Sequence, residues 1–124
     1  MTNQERIIIH GDVDIINARM AVREYARHLG FSLTDQSCVS MASSSLAYKL
    51  DLGRADSSGG EILIESYSHQ QRNGMRVRCI KNKASDADQG VINSLGNSRW
   101  LVDDIEMKPA LETGIEVIVT KWGG

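Results

Sequence analysis

The residues best equipped for chemistry lie in small groups. Ser43, Ser44 and Ser45 stand in a row and offer three hydroxyls, a pattern that suits phosphoacceptors. Serines within a helix more often bond back to carbonyls of the preceding turn, which is the simpler expectation. Asp86, Asp88 and Gly90 spell a loose Asp-x-Asp-x-Gly string. A calcium loop needs further carboxylates at set positions, so this stretch reads as a solvated turn. His10, His28 and His69 are scattered without metal-ligand spacing, and His69 is expected to be exposed. No Ser/His/Asp or Cys/His constellation emerges from spacing. Cys38 falls near the start of a helix, which can acidify a thiol, but burial as a small apolar residue is the better expectation. Arg19, Arg23 and Arg27 recur every four residues. That spacing places them on one helical stripe, either a partner-binding surface or a solvated basic face.

The elements that must position these groups follow from apolar periodicity. Ile7, Ile8 and Ile9 form a β-branched run ending at Gly11, which predicts a strand. Asp12 or Asp14 can cap the helix that follows. Ile15, Ala18, Val22, Tyr25, Ala26 and Leu29 recur at three- and four-residue spacing, the mark of one buried stripe, and Gly30 is a stop. Thr34 is the expected cap of a second helix buried through Val39, Ala42, Leu46 and Leu50, with Gly53 closing the region. Glu61 to Tyr67 predicts a strand, Asn73-Gly74 a hairpin turn, and Met75 to Ile80 the returning strand. Val91 to Val102 has helical spacing. Asp104 to Met107 predicts a strand with Pro109 at its far end, and Gly114 turns into a last strand, Ile115 to Trp122. The loop candidates are Asp51 to Gly60 and Lys81 to Gly90. This order predicts a two-layer α/β (α+β) sandwich with a mixed, mainly antiparallel sheet.

Composition sets the limits. A chain of 124 residues is one domain's worth and can bury a core without staples. At 41% hydrophobic and 24% charged residues it falls in the globular class, not the disordered one. A net charge of -2 offers no basic excess for a phosphate backbone, so nucleic acid is not an expected partner. No apolar run approaches the roughly 20 residues that span a bilayer. The polar start, Met1 to Arg6, lacks a signal-peptide core, so no membrane association and a cytoplasmic location are expected. Two cysteines, Cys38 and Cys79, are expected to be buried thiols.

Four stretches carry a family resemblance. They are Ala18-Arg19 through Leu29-Gly30-Phe31 to Asp35-Gln36; Ala42 to Leu50, reading ASSSLAYKL; the hairpin into Arg76 to Ile80; and Arg99 to Asp103 with Gly114 and Val119-Thr120-Lys121-Trp122. In this order the chain resembles the anti-sigma-factor serine kinases of the RsbT/RsbW type, in the Bergerat, or GHKL, ATPase superfamily. The resemblance covers nearly the whole chain, 1–124, as one histidine-kinase-like ATPase domain. It implies a Bergerat-type sheet with helices on one face.

The resemblance also implies a nucleotide site, and here the residues depart from it. The family places a glutamate base and, four residues on, a magnesium-ligating asparagine on the second helix. Those positions are Ser45 and Lys49; serine is no carboxylate base, and an ammonium has no lone pair for a metal. The aspartate that accepts from the adenine amino group corresponds to Lys81, followed by Asn82. The two glycines after it correspond to Lys83 and Ser85. A threonine after the last hairpin glycine is replaced by Ile115. The glycine-rich lid over the phosphates is shortened by roughly ten residues, with Gly96 in a remnant Leu95-Gly96-Asn97. Each lost charge-assisted hydrogen bond removes about 1.5–3 kcal/mol. Together these departures lead to an expectation of no ATP, no metal and no catalysis. Lys49, Lys81 and Lys83 are left either as an anion site in the vacated pocket or as solvated lysines.

What the resemblance then implies is a regulatory binding module of a partner-switching system. Its partners would be a STAS-domain protein, a sigma factor or a PP2C-type phosphatase, met through helix faces that include Arg19, Arg23 and Arg27. A homodimer is a further possibility within that class. The alternative is an active serine/threonine kinase using ATP and magnesium, which needs a carboxylate on the second helix; the nearby Asp51 falls two residues too late to share the face of Lys49.

Overall fold

A computed structural model of the chain describes residues 4–53, 59–85, 88, 90, 101–110 and 113–123. Strand β1 (Gln4–Ile9) leads into two helices, α1 (Asp12–His28) and α2 (Leu33–Lys49). Strands β2 (Gly60–His69), β3 (Arg72–Lys81), β4 (Asp104–Ala110) and β5 (Gly114–Trp122) follow. They form one five-stranded sheet in the order β1-β2-β3-β5-β4. Every described pairing is antiparallel, and both helices pack on one face, giving the expected two-layer α+β architecture. Asn82 to Asp103 separates β3 from β4; the helix expected at Val91 to Val102 falls largely outside the described residues, where only Leu101 and Val102 are seen, both buried.

Helix α1 buries Ile15, Ala18, Val22 and Ala26, the stripe its spacing predicts, while Leu29 becomes an exposed C-cap. Asp14 caps from within the first turn: its carboxylate accepts from the His10 N–H at 2.7 Å and from the Gly11 N–H at 3.3 Å. The helix ends in a Schellman motif, with Phe31 N–H donating to Ala26 and Gly30 N–H to Arg27. Gly30 takes the left-handed conformation this motif needs, φ 86°.

Helix α2 is capped by Ser32, two residues before the expected Thr34. The Ser32 hydroxyl accepts from the Asp35 N–H at 3.1 Å, satisfying one orphan donor. Its end repeats the motif of α1, with Asp51 rather than glycine in the left-handed position, φ 60°. Gly53 therefore lies beyond the stop. The helix is buried on more than one side, including Ser40, Ser43 and Ser44, whose hydroxyls donate to carbonyls three or four residues back. Small residues at Ala42, Ser43 and Ala47 bring α1 and the sheet close to its axis.

Strands β2 and β3 alternate, whereas β5, flanked by β3 and β4, is buried on both faces from Glu116 to Thr120. Ile9, Ile62, Ile64, Met75, Val77, Cys79, Val117 and Val119 point to the helices and form the core with Val39, Leu46 and Leu50. Full burial of each such aliphatic side chain contributes about 1.5–3 kcal/mol. The reversal between β2 and β3 is not at Asn73-Gly74. It lies at Gln70-Gln71, both left-handed, φ 50° and 68°, the twist that two-residue hairpins require. Asn73 and Gly74 sit inside β3, opposite Ser68 and Tyr67. Gly74 is needed there for a different reason: a Cβ would come within 2.8 Å of the Trp122 ring and 2.7 Å of the Lys121 carbonyl. Pro109 lies inside β4, an edge strand that tolerates a missing N–H.

Candidate functional site

The residues singled out by the family pattern fall at one end of the sheet, where β3 and α2 both finish. Lys81, the last residue of β3, pairs in register with Gly60 of β2 and Ile115 of β5. Leu52, just past α2, lies against Gly60, within 2.9 Å of where its Cβ would be. Lys81, Asn82 and Ile115 are thus brought together, with the end of α2 beside them.

Lys81 is buried rather than solvated. Its ammonium donates to Asp88 Oδ1 at 2.8 Å and, more weakly, to the Ser85 hydroxyl at 3.5 Å. Asp88 is held in turn: its Oδ2 accepts from the Ser85 N–H at 2.6 Å, and its own N–H donates to the Ser85 carbonyl. Both side chains are less than a tenth exposed. The solvated turn expected around Asp88 is therefore incorrect for that residue. Nothing in the local pattern around Asp88 marks it as the partner of a β3 lysine; the pairing is made by the fold. A buried ion pair with its remaining valences satisfied is costly to break and has no charge left over.

Ser45 is half-buried and Lys49 exposed, one turn apart on α2. Asn82 donates its N–H to the Gly59 carbonyl and its carbonyl accepts from the Thr113 hydroxyl. Lys83 is exposed, and Ile115 is half-buried against the core. Gly96 lies outside the described residues. The anion site imagined for Lys49, Lys81 and Lys83 loses its buried member to Asp88. Lys81, at the position the resemblance gives to an adenine acceptor, is a donor already engaged, and Lys49, at that of the metal ligand, carries an ammonium. Among the described residues no cluster of three or more His, Cys, Asp or Glu side chains could hold a metal ion.

The helix layer offers a surface. Arg19, Arg23 and Arg27 are exposed along α1. Arg27 is tied to Glu24, which also meets His28 at 3.2 Å. The hydrogen bond from Arg27 holds the Glu24 carboxyl below its usual range. Beside the arginines, Val13 is 68% and Met20 65% exposed, and Ile16 is about half exposed. They recur at three and four residues on the side opposite Ile15, Ala18 and Val22. The same periodicity that found the buried stripe would have found this second one.

The far end of β3 carries a different group. A cleft of about 520 Å³ lies between the α1–α2 connection and the β2–β3 turn, lined by Phe31, Arg72, Asn73, Asp103 and Trp122 among others. Asp103 accepts from the Trp122 N–H at 2.7 Å. His69 is exposed, as expected, and stacks on Tyr67 at 6.3 Å. The two thiols are free; Cys79 is fully buried and Cys38 half-buried. Burial pushes the Cys79 thiol up to about 12.

No family model matches the chain. It is similar to the serine/threonine-protein kinase RsbT of Bacillus subtilis (strain 168), 25% identical over 134 aligned positions that cover 98% of each chain. The aligned positions outnumber this chain's 124 residues, so part of the relative has no counterpart here. Among the described residues, no helix is long and apolar enough to cross a membrane.

Proposed function

We propose that this chain is a regulatory protein-binding module of a partner-switching system, built on an RsbT-like, GHKL-type frame that does not use ATP. The observation that carries this reading is the Lys81–Asp88 pair. It fills the sheet end at the position where the family's adenine acceptor belongs, and does so with internally satisfied charge. Ser45 and Lys49 on α2 support it, since neither supplies a base or a magnesium ligand. The residues that the relative has and this chain lacks suit a shortened lid. The expected partners are a STAS-domain protein, a sigma factor or a PP2C-type phosphatase, engaged through the exposed arginines and apolar residues of α1. Calorimetric titration with Mg-ATP is expected to give no binding heat; micromolar affinity would overturn the reading. For the partner surface, reversing Arg19, Arg23 and Arg27 together to glutamate is expected to abolish capture of a STAS-domain partner, and unchanged capture removes α1 from consideration.

The full-length similarity to a protein named as a kinase favours one second reading, an active ATP-dependent serine/threonine kinase. Transfer of labelled phosphate from ATP to a STAS-domain protein would establish it, and Lys81 and Asp88 would then have to separate to admit the nucleotide.

A further inference from the structure

The outer face of the sheet carries three arginines on β3, and they are treated differently. Arg78 is fully committed: it donates to Glu65 at 2.7 Å and to Glu116 at 2.8 Å. Arg72 and Arg76 have no carboxylate partner among the described residues. Each lies instead over an aromatic ring, Arg72 at 4.9 Å from the Trp122 centroid and Arg76 at 3.6 Å from that of Tyr67. The two rings touch, 5.3 Å apart between centroids. They meet across Gly74, which stands in register between Tyr67 and Trp122 and has no Cβ to separate them. Arg76 Nε is buried without an acceptor, so the ring, not a hydrogen-bond network, holds that guanidinium in place.

Stacking fixes the plane of a guanidinium and, with Arg76 Nε buried, leaves the two Nη groups as the edge open to a ligand. That is the preorganised form in which arginine takes up a carboxylate bidentately, with little further entropy to lose. Arg, Tyr and Trp are also the side chains enriched among those that dominate binding energy at protein interfaces. The cleft beside Arg72 and Trp122 gives an adjacent residue of a partner somewhere to lie. We propose that Arg72 and Arg76, seated on Trp122 and Tyr67, form a docking site for an acidic segment of a partner protein. This site is on the sheet, distinct from both the Lys81 end and the α1 stripe, and does not depend on whether ATP binds. Glu61, Glu65, Glu106 and Glu116 share the face, so free positive charge is confined to Arg72 and Arg76; that suits one or two carboxylates rather than the continuous charge of a nucleic-acid backbone.

The test is an NMR titration of the full chain, with arginine and tryptophan nitrogens labelled, using a short peptide of alternating glutamate and alanine. Saturable movement of the Arg72 and Arg76 Nε–H signals and of the Trp122 indole is expected, while Arg78 stays in place. Changing both arginines to glutamine is expected to weaken binding by about tenfold or more. Lysine at both positions is expected to restore only part of it, because an ammonium is a point charge without the planar fork. Stationary Arg72 and Arg76 signals, or an Arg78 that moves as much as they do, would overturn the proposal. So would tighter binding of an oligothymidylate to the same groups. The wild-type titration stands even if a variant folds poorly.

Discussion

The two ends of β3 handle positive charge in opposite ways. At Lys81 the ammonium is buried, matched by Asp88 and locked by the Ser85 turn. Nine residues earlier, Arg72 lies in the open over an indole, and Arg76 over a phenol, without counter-ions among the described residues. The first arrangement is costly to break and leaves nothing for a ligand. The second does little for the fold, since exposed cation–π contacts contribute only about 0.5–1 kcal/mol each, and leaves donors available. Satisfied charge thus marks one end of β3 and unpaired donors the other.

This contrast can be broken most decisively at Lys81. Lys81→Ala would strand a buried carboxylate and is expected to cost about 3–5 kcal/mol in denaturant unfolding. Replacing both partners by apolar residues, Lys81→Met with Asp88→Leu, is expected to recover most of that loss. If Lys81→Ala costs less than about 1 kcal/mol, the end is not closed as described.

Gly74→Ala probes the open end through its scaffold. The added methyl must displace the Trp122 ring or the β5 backbone. A loss of about 1–3 kcal/mol is expected, typical of overpacking, together with a shifted Trp122 indole signal.

Between the ends lies Cys79, on the helix-facing side of the strand. Its thiol is held neutral in the folded state up to about 12, against an ordinary value of 9.0. A raised value means the unfolded chain ionises first, so stability is full below about pH 9 and falls between roughly pH 9 and 12. The slope is about 1.4 kcal/mol per pH unit. Cys79→Val is expected to flatten this segment of the stability curve. Under native conditions a thiol reagent is expected to modify Cys38 well before Cys79.

The smallest effect is expected on the helix surface. Charge reversal at Arg19 and Arg23, which are exposed, should change stability by no more than about 0.5 kcal/mol. A larger loss would mean that these side chains belong to the fold rather than to a surface kept for a partner.

Much of the architecture was legible because it rests on short-range periodicity. The stripe Ile15, Ala18, Val22 and Ala26 and the alternation of Met75, Val77 and Cys79 have one sensible burial each. Turn and cap positions were less legible. Asn73-Gly74 carries a strong hairpin signature, yet the chain spends its glycine on admitting Trp122, a residue 48 positions later. Two glutamines then take the left-handed positions, at a local cost that only the ten-pair ladder of the hairpin offsets. At the candidate site, the positions of Lys81 and Ile115 followed from the strand pattern. That Asp88 folds back on Lys81 did not, because burial of an ion pair is decided by tertiary packing and not by spacing. The stacked arginines were invisible for the same reason: nothing in a local window brings Trp122 beside Arg72.

The strand order has a consequence for how the molecule assembles. β2 with β3, and β4 with β5, each pair with their neighbour in sequence, and the sheet forms when β5 docks on β3. β1 is different: Ile9 meets Gly60 only after the whole α1–α2 pair has been looped out between them. Its closure carries the greatest chain-entropy cost for an edge that gains neighbours on one side alone. β1 is therefore the strand to join last and leave first. In hydrogen exchange it would open without the hairpins, unzipping the N-terminal edge while both ends of β3 stay in place.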